Sequence, residues 1–119
     1  MNYLRIYADN AGVSHFEDLS FGLTSRDSLH PSTSPIRSPC VKAYSRTSGP
    51  GGTADWHVAP ARQLFMLLAG ALEVEVSDGE TRHLEPGAVT LLEDVIGEGH
   101  ATRVYGEEDV RGIFPQLPT

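Results

Sequence analysis

Asp55-Trp56-His57-Val58-Ala59-Pro60-Ala61-Arg62-Gln63 and Gly97-Glu98-Gly99-His100-Ala101-Thr102-Arg103 bracket the part of the chain whose reading decides the fold. Between them Arg62 to Ala69 is apolar on both faces, with Phe65 and Leu67 on the side of Gln63 and Leu64, Met66 and Leu68 on the other, so such a strand must be covered on both sides. The next segment sets Leu72, Val74 and Val76 against Glu73, Glu75 and Ser77, the alternation of a half-buried antiparallel strand. Asp78-Gly79 is hairpin chemistry, Thr81 to Leu84 the return strand, Glu85-Pro86-Gly87 a turn and Ala88 to Leu92 another apolar strand. Glu93 to Gly99 is a polar, Gly-containing loop before His100 to Tyr105. Closure of these strands into a small barrel brings His57 and His100 towards one another.

Upstream, Leu4, Ile6 and Ala8 alternate with Arg5 and Tyr7 and end at the turn Asp9-Asn10-Ala11-Gly12, and His15 to Leu23 reads as a second extended segment. Residues 24–39, with Pro31, Pro35 and Pro39, lack the donors for a ladder and form a long loop, a lid or an ordered arm. Cys40 to Arg46 alternates again, and Ser48-Gly49-Pro50-Gly51-Gly52 turns the chain into the first stretch. Val110 to Phe114 is the last strand. No segment keeps a helical period over three turns, and nine or ten short strands mean an all-β sandwich or barrel.

At 119 residues the chain makes one domain, 1–119, with N-terminal strands and loop over 1–39 and a barrel core over 40–115. The single cysteine, Cys40, allows no internal disulfide and suits a reducing compartment. No basic-apolar leader or bilayer-length apolar stretch is present, so a soluble, cytoplasmic protein away from membranes is expected. A net charge of −7, from 16 acidic and 9 basic residues, argues against a phosphate-backbone partner, and no nucleic acid is expected.

Residues two apart on a strand share a face, which puts Asp55, His57 and Ala59 together and opposes them to Trp56 and Val58. His57 and Gln63 are then expected on adjoining strands, pointing into one cavity, and His100 on a later strand with Thr102 and Val104. His15 is a fourth polar candidate at the barrel mouth, while His83 reads as a surface residue. Asp55 reads as a strand-edge acid, or as an acceptor orienting an imidazole, and Glu93 and Asp94, in the loop before His100, as solvated loop acids or as suppliers of a carboxylate to the site. Trp56, Phe65, Met66 and Tyr105 are candidates to shape an apolar pocket.

The order His57, Pro60, Gln63, Gly70, acidic hairpin, Leu84-Glu85-Pro86-Gly87, loop and His100 resembles the two-motif core of the cupin superfamily over residues 40–115. It is also similar to small single-domain bacterial cupins with a Trp-His-x-Ala-Pro-x-x-Gln signature. The resemblance implies a double-stranded β-helix, or jelly-roll barrel. It places His57 and His100 at two of the family's His positions and Gln63 at its Glu position, with Ala59 where a further His is usual. In metal-binding cupins these positions hold Zn, Fe, Mn, Ni or Cu. His57, Gln63 and His100 are therefore the candidate metal and catalytic residues, although an amide is a weaker ligand than a carboxylate. Three functions stand: a metal-dependent isomerase, cyclase or oxygenase on a small organic molecule, a metal-free acid–base enzyme, and a non-catalytic binder of a small ligand. The doubly apolar strand 64–68 leads to the expectation of a homodimer.

Overall fold

The alternations of Leu4-Ile6 and Val74-Val76 become strands whose buried sides meet in one core. The computed structural model describes residues 2–20 and 42–118, so the expected loop at 24–39, and Phe21, Leu23, Cys40 and Val41 of the expected strands, lie outside the described residues. Ten strands and no helix occur among the described residues: β1 Asn2–Ala8, β2 Ser14–Ser20, β3 Lys42–Ser48, β4 Thr53–His57, β5 Gln63–Ala69, β6 Leu72–Val76, β7 Thr81–Leu84, β8 Val89–Leu92, β9 His100–Val104 and β10 Val110–Gln116.

They form two sheets, one of six strands in the order β2-β1-β8-β5-β10-β3 and one of four in the order β4-β9-β6-β7. All pairings are antiparallel except that of β1 with β8. Leu4, Ile6, Phe65, Leu67, Leu92 and Val110 from the larger sheet meet Val74, Val76 and Leu84 from the smaller one, so the two inner faces share one core. The fold is a jelly roll, as the strand count and turn spacing indicate.

On β5 the residues Gln63, Phe65 and Leu67 are buried, whereas Leu64 and Met66 are half-buried and Leu68 is exposed on the outer face. Because β4 belongs to the smaller sheet and β5 to the larger, His57 and Gln63 are not on adjoining strands. The Pro60 turn carries the chain from one sheet to the other, a crossing that face alternation along the sequence does not register.

His15 stands away from the cavity described below. Its Nε2 lies 2.7 Å from Asp9 and its Nδ1 2.8 Å from Asp78. The hydrogen bond to Asp9 is the larger of the effects that raise the His15 pKa, with Asp78 adding to it, and the same bond to His15 lowers the Asp9 carboxyl. The raised imidazole stabilises the fold fully below its ordinary value near 6.5 and loses that contribution as pH rises through its folded value. The Asp9 contribution is present above its ordinary 3.8 and is lost as pH falls through its folded value. Urea melts should therefore show this contribution falling as pH rises above about 6.5, and His15→Gln should remove that slope.

Candidate functional site

Alternation along β4 fails at one place, and that place builds the site. Ala54 pairs with Thr102 and His57 with His100, so three residue steps on β4 run against two on β9. The extra residue is a β-bulge, and it returns His57 to the face of Ala54 rather than that of Asp55. Ala54 and His57 line the cavity between the sheets, whereas Asp55 and Trp56 do not. This corrects the expected grouping of Asp55, His57 and Ala59, since a one-residue bulge is invisible to a period-two reading.

Across the pair the two imidazoles lie with ring centroids 4.8 Å apart and planes at 55°. His57 is exposed and His100 buried. Nδ1 of His57 is 2.7 Å from the backbone carbonyl of Asp55, an atom that only accepts, so the ring donates from Nδ1. Asp55 thus does orient the imidazole, but through its main chain; its carboxylate accepts from the Trp56 N–H at 2.8 Å. His100 donates from Nδ1 to Oδ2 of Asp94 at 2.6 Å. In both rings Nε2 is the nitrogen without a protein partner among the described residues, the atom available to a proton or a ligand.

Of the two readings of Asp94, the solvated loop acid does not hold, and its carboxylate reaches His100 instead. Asp94 is 0 % exposed, and its second oxygen, Oδ1, has no hydrogen-bond partner among the described residues. An acid so placed costs free energy that folding alone does not require. Its loop is fixed on three sides: Ala59 N–H donates to the Asp94 carbonyl at 3.0 Å, Glu98 N–H to the Gly12 carbonyl at 2.9 Å, and the Ser14 hydroxyl to the Gly99 carbonyl at 2.6 Å. Glu93, also expected in solvent, is held by Arg5 at 2.6 Å and Arg62 at 2.7 Å. Burial works against its charge, but the Arg62 and Arg5 guanidiniums prevail and keep its carboxyl below the usual carboxylate range. The signal available in the sequence was Gly97-x-Gly99 before His100: both glycines have positive φ, 84° and 73°, which only a tightly folded loop requires.

The cavity has a volume of about 110 Å³. Its walls are mainly apolar, with Phe65, Val74, Leu84 and Phe114 among them, and His57, His100, Thr102 and Val104 share it. Gln63 is 4 % exposed and sits opposite Leu92 and Gln116, and it is not among the lining residues. Met66, Trp56, Tyr105 and His15 do not line the cavity either, and His83 is exposed as expected. Among the described residues no three His, Cys, Asp or Glu side chains converge on one point. Two imidazoles fall short of the three protein ligands that hold a catalytic zinc, so the described donors do not make up a metal centre.

No family model and no curated protein matches the chain. Solved structures do. A cupin domain from Bordetella pertussis superposes with a TM-score of 0.54 at 20% identity, covering 71% of this chain and 88% of that one. A cupin-2 domain protein from Shewanella frigidimarina gives a TM-score of 0.47 at 17% identity over 68% and 81% of the two chains, and a cupin superfamily protein from Desulfitobacterium hafniense 0.47 at 15% over 79% and 94%. Two facing sheets closed around a small cavity, together with the Bordetella likeness, give this chain the fold of a cupin domain.

Proposed function

We propose that the cavity carries out acid–base chemistry on a small organic molecule without a resident metal, with His100 as the proton-transferring group and His57 beside it. The buried Asp94–His100 pair is the observation that carries this reading. Asp94 holds His100 with Nδ1 protonated, leaving Nε2 to accept a proton, and it faces the imidazolium that results. Proton abstraction next to a substrate carbonyl leaves an enolate and imidazolium. Return of that proton to the same or another carbon completes an exchange or an isomerisation with no co-reactant. A positioned base of this kind contributes about 10²–10⁴-fold.

Small carbonyl compounds incubated with the protein in D2O should lose their α-proton signals, in the presence of a chelator and not with His100→Ala. Exchange that stops on chelation and returns with Zn, Fe, Mn, Ni or Cu would replace this reading by the metal-dependent one, with His57, His100 and Gln63 as the ligands to test. Binding without exchange by any compound would make the protein a carrier or sensor.

A further inference from the structure

The protein carries a net charge of −7, yet among the described residues no Asp or Glu lines the cavity between the sheets, while Arg46 and Arg103 do. We infer that the cavity takes a small organic acid, its anionic head at Arg46, its apolar body between the sheets, and a second polar atom at the Thr90 hydroxyl. This rests on the reading of the cavity as a small-molecule site and names the chemical class that fits it.

The two arginines are not equivalent. Arg103 is committed to Glu73 at 2.7 Å and Glu75 at 3.5 Å. Arg46 is exposed on β3, an edge strand among the described residues, and its guanidinium has no ion pair or hydrogen bond with a described residue. A guanidinium at the rim of an apolar cavity recognises a carboxylate by two parallel N–H bonds.

A band of four residues leads inward from it. Arg46 pairs with Gly112 across β3 and β10, and the Phe65 ring occupies the space a Gly112 side chain would need. Thr90 faces Phe65 across β8 and β5. From β3 to β8 the band crosses three strand spacings, about 14 Å at the usual separation.

At its inner end Thr90 is 1 % exposed, lines the cavity, and its Oγ1 has no hydrogen-bond partner among the described residues. A buried hydroxyl without a partner is costly, and a carbonyl or hydroxyl on a ligand would satisfy it. The volume of about 110 Å³ limits the apolar body to one ring or a branched chain of similar size.

Calorimetric titration of the full chain with phenylacetate, its neutral isostere phenylacetamide, and 4-hydroxyphenylacetate tests the assignment. The acid should bind at least about tenfold tighter than the amide, one charge-assisted pair's worth. Arg46→Gln should bring the acid to the level of the amide and leave the amide unchanged. 4-Hydroxyphenylacetate should gain several-fold over phenylacetate, and Thr90→Val, which keeps the side-chain shape, should erase that gain while the free variant melts no lower than wild type. Equal binding of acid and amide, with both perturbing the His57 and His100 ring signals, would overturn the acid and leave the small-molecule site standing. Absence of saturable binding by all three probes would overturn the acid and the site together.

Discussion

Asp94→Asn is expected to lose about 10²–10⁴-fold in kcat for proton exchange, with KM close to wild type. The carboxylate touches nothing in the cavity; it is a positioning residue that acts through His100 Nδ1 at 2.6 Å. An amide is neutral, so the imidazolium formed when His100 takes a proton loses the charge that faced it. An amide also has two ends. With no donor on Oδ1 to hold its orientation, it can turn its NH2 towards Nδ1 and invert the tautomer, leaving a protonated Nε2 that cannot accept. The downfield Nδ1–H proton of His100 in the NMR spectrum should shift or vanish in the variant. Stability should move far less than the rate, because the substitution removes a buried charge already short of one partner. A variant that unfolds, or that keeps full kcat, would show the pair to be part of the scaffold only.

Gly99→Ala should cost roughly 3–5 kcal/mol, at the upper end of single substitutions. One part is backbone. Gly99 has φ +73°, a region where a side chain costs about 1–2 kcal/mol. The other part is collision: a Cβ there would fall on the His57 carbonyl and crowd Val58 N, which lies 2.7 Å away. Neither can yield easily, since His57 is paired with His100 and the Gly99 carbonyl is held by the buried Ser14 hydroxyl. The His57 and His100 rings would be driven apart, so binding and stability should fall together. Gly79→Ala is the control. Its φ is +99° but nothing lies within 4 Å of an added Cβ, so it should show the backbone cost alone. Urea melts of the two variants measure the difference, and equal midpoints would mean that the loop adjusts freely.

The positions of the strands along the chain, the apolar faces of β5 and β6, and the turns at Asp78-Gly79 and Pro86-Gly87 were legible because each rests on local chemistry. Alternation reports which side is buried, and Gly or Pro reports where the backbone must turn. The same logic brought His57 and His100 together, since only closure of the sheets was needed. The tertiary structure decided what local reading has no access to. A single extra residue in β4 moved His57 off the face of Asp55, because parity along a strand holds only while the register holds. A change of sheet at Pro60 parted His57 from Gln63. The burial of Asp94, which decides between a solvated acid and a carboxylate supplied to the site, depends on Gly12, Ser14 and Ala59 closing around its loop, contacts that are remote in sequence. Local chemistry thus determined the barrel and its two histidines, and long-range packing determined which carboxylate serves His100.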